Sequence, residues 1–122
     1  MLILVNKEDK DIDRERIFTL RMQVKNRVIL AILDSGSQRN LVLASMVKDL
    51  GLYLEEFPKP YEISGRNRDE SDPVTHICTF KFAITKEYID EVTCDVVSMD
   101  CTNIFLGVSF FIVIKAIIIP YL

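Results

Sequence analysis

The sequence predicts a mainly-β protein, a small closed β-structure with one short helix, and three observations support this class. Several short segments alternate apolar and polar residues, as strands with one buried face do. One segment, 40–51, has helical spacing of its apolar residues. The chain has 122 residues, of which 49% are hydrophobic and 27% charged, and this composition fits one globular domain.

The first two predicted strands flank a tight turn. Residues 18–24 alternate in polarity, which indicates a strand with one buried face. Lys25 and Asn26 suit a turn. Residues 27–33 form a nearly continuous apolar run, which predicts a strand buried on both faces, and Asp34 ends it.

The predicted helix follows the second strand. Asn40 is suited to cap its start and Gly51 its end. The apolar residues that share one face of this helix are Leu43, Met46, Val47 and Leu50. We expect a strand over 52–57, stopped by Pro58 and Pro60, and then a charged loop over 64–73.

Three further strands are predicted downstream. Apolar residues occupy alternate positions at Cys78, Phe80, Phe82 and Ile84, and again at Val92, Cys94 and Val96. Residues 85–87 between these two runs suit a hairpin loop. A short apolar strand over 104–106 ends at Gly107. Many short strands with one helix favour a small closed β-structure.

The C-terminal segment 105–122 is almost entirely apolar. Lys115 and Pro120 interrupt it, and it is shorter than a comfortable transmembrane span, which argues against a membrane anchor. A buried strand or helix is favoured instead. The β-branched residues favour a strand for at least part of the segment: Ile112, Val113, Ile114, Ile117, Ile118 and Ile119.

Charge and cysteine content exclude several function classes. The net charge of −3 and the pI of about 5.1 give no footprint for a nucleic-acid backbone. Cys78, Cys94 and Cys101 are odd in number and lack metal-ligand spacing, and His76 is the one histidine. We therefore expect reduced, inert thiols, no metal and no cofactor, in a cytoplasmic chain.

The segment that carries chemistry ends the second predicted strand. A carboxylate directly after a buried strand, here Asp34, is costly unless it is paired or hydrogen-bonded. Gly36 permits a sharp turn and a close approach of another chain, and Ser35 offers a hydroxyl. An ordinary strand-end turn also uses these residue types, so this tripeptide alone leaves both interpretations open.

A second element, Ile104-Phe105-Leu106-Gly107, lies far downstream. With it, segments 16–52, 78–97 and 103–111 resemble the retropepsin family of aspartic proteases, specifically the protease segment of plant gypsy-type retrotransposon polyproteins. The most specific part is the hydrophobic-Asp-Ser-Gly-Ser motif ending at Ser37. The resemblance implies a closed acid-protease β-barrel over 16–111, one lobe of a bilobal plan. Residues 1–15 form an N-terminal extension, and 112–122 an apolar tail that could supply a strand at a dimer interface.

The resemblance also implies roles for individual residues. Asp34 matches the catalytic aspartate, Ser35 a residue that braces the active-site loops, and Gly36 the glycine that lets two loops meet. The four residues of 104–107, namely Ile104, Phe105, Leu106 and Gly107, match the element that supports the active-site loop. The flap that covers substrate would include Ser64, Gly65 and Arg66.

One Asp-Ser-Gly supplies one carboxylate, whereas acid-protease chemistry uses two. Asp95 and Asp100 are rejected as partners because both positions predict solvated acids. A two-fold homodimer supplies the second carboxylate. We therefore expect a homodimeric aspartic endopeptidase acting on a peptide or polyprotein. The alternative is a catalytically silent or domesticated retroelement remnant that serves as a dimerising interaction module, which the charged flap and the altered tail favour.

Overall fold

The computed structural model describes residues 4–6, 17–64, 71–98 and 103–118. Eight strands and two helices lie in these ranges. In chain order they are β1 (Leu4–Asn6), β2 (Ile17–Val24), β3 (Arg27–Asp34), β4 (Leu41–Leu43), α1 (Ala44–Leu50), β5 (Leu54–Ser64), β6 (Ser71–Ala83), β7 (Ile89–Val97), β8 (Ile104–Leu106) and α2 (Val108–Ile118).

Six of the strands close into a barrel in the order β2-β3-β8-β4-β7-β6, and the pairing of Gln23 with Ala83 returns the sheet to β2. The barrel is mixed, since β3–β8 and β4–β7 are parallel and the other pairs are antiparallel. β1 and β5 extend the sheet at β2 and β6. The predicted mainly-β closed fold is confirmed. A second helix, α2, lies in the C-terminal segment, for which the sequence left strand and helix open and favoured a strand in part.

Strand β3 has one buried face, so the prediction that it is buried on both faces is wrong. Ile29, Ala31 and Leu33 point into the core, whereas Val28 is 67% exposed and Leu30 is also exposed. Successive side chains of a barrel strand alternate between the interior and the outside, and this alternation overrides the apolar content. The alternating burial predicted for β2 is confirmed, with Leu20, Met22 and Val24 buried.

Helix α1 starts differently from the prediction. It begins at Ala44, after the short strand β4, and its N-cap residue Leu43 makes no side-chain cap hydrogen bond. Asn40 is therefore not the helix cap. The C-terminal end is as predicted: Gly51 adopts a left-handed φ of 63°. The Gly51 N–H donates to the Lys48 carbonyl at 3.1 Å, and the Leu52 N–H donates to the Val47 carbonyl at 2.9 Å.

A lysine from the β2–β3 turn completes this end of α1. Lys25 has φ 55°, consistent with the predicted turn. Its Nζ donates to the Leu50 carbonyl at 2.8 Å and to the Gly51 carbonyl at 3.4 Å. A cation at a helix C-terminus satisfies unpaired carbonyls and opposes the helix dipole. The contact ties α1 to the β2–β3 hairpin.

Strand β5 continues through both prolines, so the predicted stop at Pro58 is wrong. The strand runs to Ser64, which pairs with Ser71, and a register shift lies between Glu56 and Tyr61. Proline is tolerated here because β5 is an edge strand and the bulge absorbs the missing N–H donors. The predicted loop 64–73 is correspondingly shorter, since β6 already begins at Ser71.

The β6–β7 hairpin matches the prediction. Its loop closes through the Tyr88 N–H, which donates to the Thr85 carbonyl at 3.3 Å. Cys78 and Cys94 are paired across the two strands, and both are buried free thiols. Burial raises the pKa of each thiol, most strongly that of Cys94, which favours the inert protonated form. Cys101 lies outside the described residues.

The C-terminal segment forms helix α2, and the expectation of a strand there is wrong for residues 112–118. Phe111 and Ile114, three residues apart, are buried in the core, and α2 packs on β3 and β8. Helical spacing of the buried side chains decides the structure over the β propensity of isoleucine and valine. No helix in the described part of the chain is long and apolar enough to span a membrane.

Replacing Gly51 tests the left-handed cap of α1. We expect Gly51→Ala to lower the free energy of unfolding by about 1 kcal/mol, because a Cβ is disfavoured at positive φ. Space is not the cause, since the nearest atom to the new Cβ would be Lys25 Nζ at 3.9 Å. Urea unfolding at fixed protein concentration measures the change. Gly51→Asn is the control and should lose less, because Asn tolerates this conformation; equal losses would contradict the explanation.

Candidate active site

Asp34 is the last residue of β3 and lies where the barrel strand turns into a loop. Its side chain is half-buried, and its Oδ1 accepts a hydrogen bond from the Gly36 N–H at 2.8 Å. The Ser37 N–H donates to the Asp34 carbonyl at 3.2 Å and closes the turn. A hydrogen bond from its own loop restricts the orientation of the carboxylate.

The rest of this loop is held by a serine hydroxyl. Ser37 Oγ donates to the Arg39 carbonyl at 3.0 Å and accepts from the Arg39 N–H at 3.2 Å. Such a short-range serine turn replaces the sheet hydrogen bonds that the chain gives up between β3 and β4. Residues 35–40, the Asp34 loop, therefore have a defined path.

Gly107 lies directly against the Asp34 loop. β3 and β8 run parallel, with Leu33 opposite Leu106, so the residue after β8 meets the residues after β3. A Cβ on Gly107 would stand 2.6 Å from the Ser37 carbonyl oxygen and 2.9 Å from that of Arg39. These are backbone atoms that a side chain cannot displace cheaply, so this position requires glycine.

Two hydrogen bonds fasten this junction. The Val108 N–H donates to the Ser37 carbonyl at 2.7 Å. The Gly107 N–H donates to Asn40 Oδ1 at 2.8 Å. Asn40 thus supports the loop and not helix α1, and its amide satisfies a backbone donor beside the close approach.

The sequence analysis predicted that Asp95 is a solvated acid, because it alternates with apolar residues of β7. This prediction is wrong. The Asp95 side chain is 14% exposed and accepts from Arg39 Nη1 at 3.2 Å. It also accepts a hydrogen bond from the Tyr61 hydroxyl. In the sheet, Asp95 lies between Leu41 of β4 and Ile77 of β6.

The structure brings together part of the predicted site. Asp34, Ser35 and Gly36 follow one another on the loop, and Ile104 to Gly107 form β8 and its end beneath it. Ile104 and Leu106 are fully buried, as a supporting role requires. Ser64 ends β5 opposite Ser71. Gly65, Arg66 and Asp100 lie outside the described residues.

Sequence reasoning missed three residues that hold this region: Arg39, Asn40 and Tyr61. The position of Asn40 could have indicated its role. It is a polar residue directly before the apolar run 41–43, and such a residue is partly buried when the run forms a strand. Arg39 and Tyr61 carry none, because their common partner Asp95 is 56 and 34 residues away in the sequence.

Comparison with known proteins finds a likeness among solved structures. No protein-family model and no curated protein matches the sequence. Among solved structures, the chain is similar to a retropepsin-like aspartic protease from Rickettsia conorii, with 17% sequence identity and a TM-score of 0.53. The alignment covers 90% of this chain and 77% of that one. The fold is therefore that of a single-lobe, retropepsin-like aspartic protease domain, as the sequence predicts.

Replacing Gly107 tests the close approach beneath the loop. We expect Gly107→Ala to destabilise the protein by about 2 kcal/mol, because the new methyl group displaces the Ser37 and Arg39 carbonyls. Chemical unfolding measures the loss. Ser109→Ala is the control. It also places an alanine close to this junction in the sequence, but at an exposed position of α2. A Gly107→Ala variant as stable as Ser109→Ala would show that the loop yields freely.

Proposed function

We propose that this chain is an aspartic endopeptidase of the retropepsin type that hydrolyses peptide bonds as a homodimer, with Asp34 from each copy forming the catalytic pair. The observation that carries the proposal is the setting of Asp34. Its half-buried carboxylate stands at the end of a barrel strand, oriented by the Gly36 N–H and supported by Gly107. The fold of the Rickettsia conorii protease agrees with this assignment.

The chemistry follows from two carboxylates brought close together. Both cannot stay charged at close range, so the pair holds one proton. The charged carboxylate removes a proton from a water molecule, whose oxygen bonds to the scissile carbonyl carbon. The protonated carboxyl donates to the carbonyl oxygen as charge develops there. The C–N bond then breaks, and the leaving nitrogen takes up a proton.

The second carboxylate has to come from a second copy of the chain. Asp95 is already committed to Arg39 and Tyr61, so it is a poor candidate for the partner of Asp34 within one chain. A two-fold axis near the Asp34 loop would pair identical loops without any additional sequence. In that arrangement Gly36, which is exposed, permits the loops to approach, and Ser35 braces one loop against the other.

Helix α2 offers an apolar surface for such pairing. Ile112 is 66% exposed and Val113 44% exposed, next to the buried Phe111 and Ile114. Exposed apolar side chains clustered on one helix are typical of surfaces that contact another chain. We propose that α2 takes part in the dimer interface, in place of the strand that the sequence predicted for this tail.

The proposed substrate is a polyprotein or another extended peptide. The segments 16–52, 78–97 and 103–111 resemble the protease part of gypsy-type plant retrotransposon polyproteins, and this resemblance supports both that origin and that substrate class. The chemistry described above uses side chains and water, and no cofactor takes part in it. The domain proposed for this activity is 16–111, preceded by 1–15 and followed by 112–122.

Substituting the catalytic carboxylate tests the activity. We expect Asp34→Asn to abolish proteolysis of a peptide library and to leave the circular dichroism spectrum unchanged, because the amide keeps the shape and loses the charge. The wild-type rate should peak in mildly acidic solution and fall as both carboxylates become charged. Ser45→Ala, an exposed change on α1, serves as the control. Cleavage at the wild-type rate by Asp34→Asn would remove Asp34 from the mechanism.

Dilution and surface substitution test the assembly. Activity should rise with the square of protein concentration when the chain is dilute, since each site needs two copies. Ile112→Lys with Val113→Glu should yield a folded, inactive monomer on sedimentation, because both side chains are exposed and leave the core intact. Ile89→Lys, at a position 67% exposed on β7, is the matched control and should keep the dimer. An active wild-type monomer would contradict the proposal.

The same experiments separate the rival function. A stable wild-type dimer that cleaves no peptide at any pH would favour a silent, dimerising module. That result would support the proposed homodimer and contradict the proposed catalytic role of Asp34.

A further inference from the structure

Three side chains from three separate segments converge beside the Asp34 loop. The Arg39 guanidinium lies over the Tyr61 ring, 4.0 Å from its centroid. Arg39 Nη1 also donates to Asp95 Oδ2 at 3.2 Å, and the Tyr61 hydroxyl donates to the same oxygen. Each of the three residues therefore contacts the other two.

The β5 strand is shaped so that Tyr61 reaches this cluster. Glu56 pairs with His76 and Tyr61 with Val74, so the four residues 57–60 stand opposite Thr75 alone. A bulge of this kind bends a strand and re-aims the side chains that follow it. Phe57, at the start of the bulge, packs edge-on against the Tyr61 ring at 5.8 Å and fixes its orientation.

The cluster is joined to the Asp34 loop through the backbone as well. The Asp95 N–H donates to the Asn40 carbonyl at 2.8 Å, while the Asn40 side chain accepts from the Gly107 N–H. Ser37 holds Arg39 by two hydrogen bonds on the other side. A displacement of Asp95 or Arg39 is therefore passed to the residues that support Asp34.

The charges of the cluster suit a permanent contact. Burial, with the neighbouring Asp95 carboxylate, raises the pKa of Tyr61 well above its usual value. The phenol consequently stays protonated and remains a donor at any working pH of the enzyme. The Arg39 guanidinium contacts both the carboxylate and the ring.

We propose that Arg39, Tyr61 and Asp95 form a positioning clamp that holds strand β5 at a fixed distance from the Asp34 loop, so that a peptide bound at Asp34 meets β5 in one defined place. The three are positioning residues, and the ligand class is an extended peptide. The inference deepens the proposed protease function and rests on it for its kinetic consequence. The structural link between β5 and the Asp34 loop does not depend on the proposed protease function.

Amide hydrogen exchange on the full chain tests the link without reference to activity. Tyr61→Phe keeps the ring and its contacts with Arg39 and Phe57, and removes the hydroxyl bond to Asp95. We expect exchange to speed up about tenfold at the Asp95 and Arg39 amides, the size of effect for one lost hydrogen bond to a charged group.

The chain contains a matched control. The Tyr88 hydroxyl donates to Asp90 Oδ2 at 2.8 Å in the β6–β7 hairpin, so Tyr88→Phe removes the same kind of bond elsewhere. It should leave exchange in the Asp34 loop unchanged. If Tyr61→Phe also leaves the loop unchanged, or if Tyr88→Phe accelerates it equally, the clamp is overturned whatever the activity.

Kinetics test the functional half. On a cleaved peptide, Tyr61→Phe should raise KM about fivefold to tenfold with kcat within twofold of wild type, because it loosens β5, which positions the peptide, and keeps the Asp34 carboxylate and its bond from the Gly36 N–H. Asp95→Ala should have at least this effect, and adding Tyr61→Phe to it should cost little more, because Asp95→Ala already removes the acceptor of the Tyr61 hydroxyl bond. Independent, additive losses or a fall in kcat alone would contradict the positioning role. A wild type without proteolysis would sink the proposed function, and the exchange result would still decide the clamp.

Discussion

The close approach of Gly107 to the Asp34 loop is the constraint on which the rest of the site depends. Parallel pairing of β3 with β8 brings the ends of both strands to the same edge of the barrel, and the absence of a side chain at Gly107 lets the loop lie on them. The hydrogen bonds from the Val108 N–H to the Ser37 carbonyl and from the Gly107 N–H to Asn40 Oδ1 lie at this contact. Gly107 thereby supports the loop that follows Asp34.

The carboxylates of Asp34 and Asp95 lie near this loop and have different hydrogen-bond partners. Asp34 is half-buried and oriented by the backbone N–H of Gly36, which is exposed. Asp95 is enclosed by a guanidinium and a phenol that neutralise and orient it. An acid that is fully engaged holds parts of a fold together, whereas an acid with an open side is available to a reacting molecule.

The sequence-based errors share one cause, which is that local pattern does not specify which neighbours a segment will have. The apolar run 27–33 occupies a barrel wall that leaves Val28 exposed. The prolines of β5 fall on an edge strand with a bulge, where a missing donor costs little. The isoleucine-rich tail forms a helix because Phe111 and Ile114 fit the core at helical spacing.

The sequence by itself determined the strand alternation and the mainly-β class, because these depend on period-two burial. It also indicated the Asp-Ser-Gly loop and the Leu-Gly element, because the two motifs occur together and in order along the chain. Tertiary structure alone decided that Asn40 supports Gly107, that Asp95 joins Arg39 to Tyr61, and that the C-terminal segment is helical. These contacts join residues dozens of positions apart, and the closure of the barrel is what brings such residues within hydrogen-bonding distance.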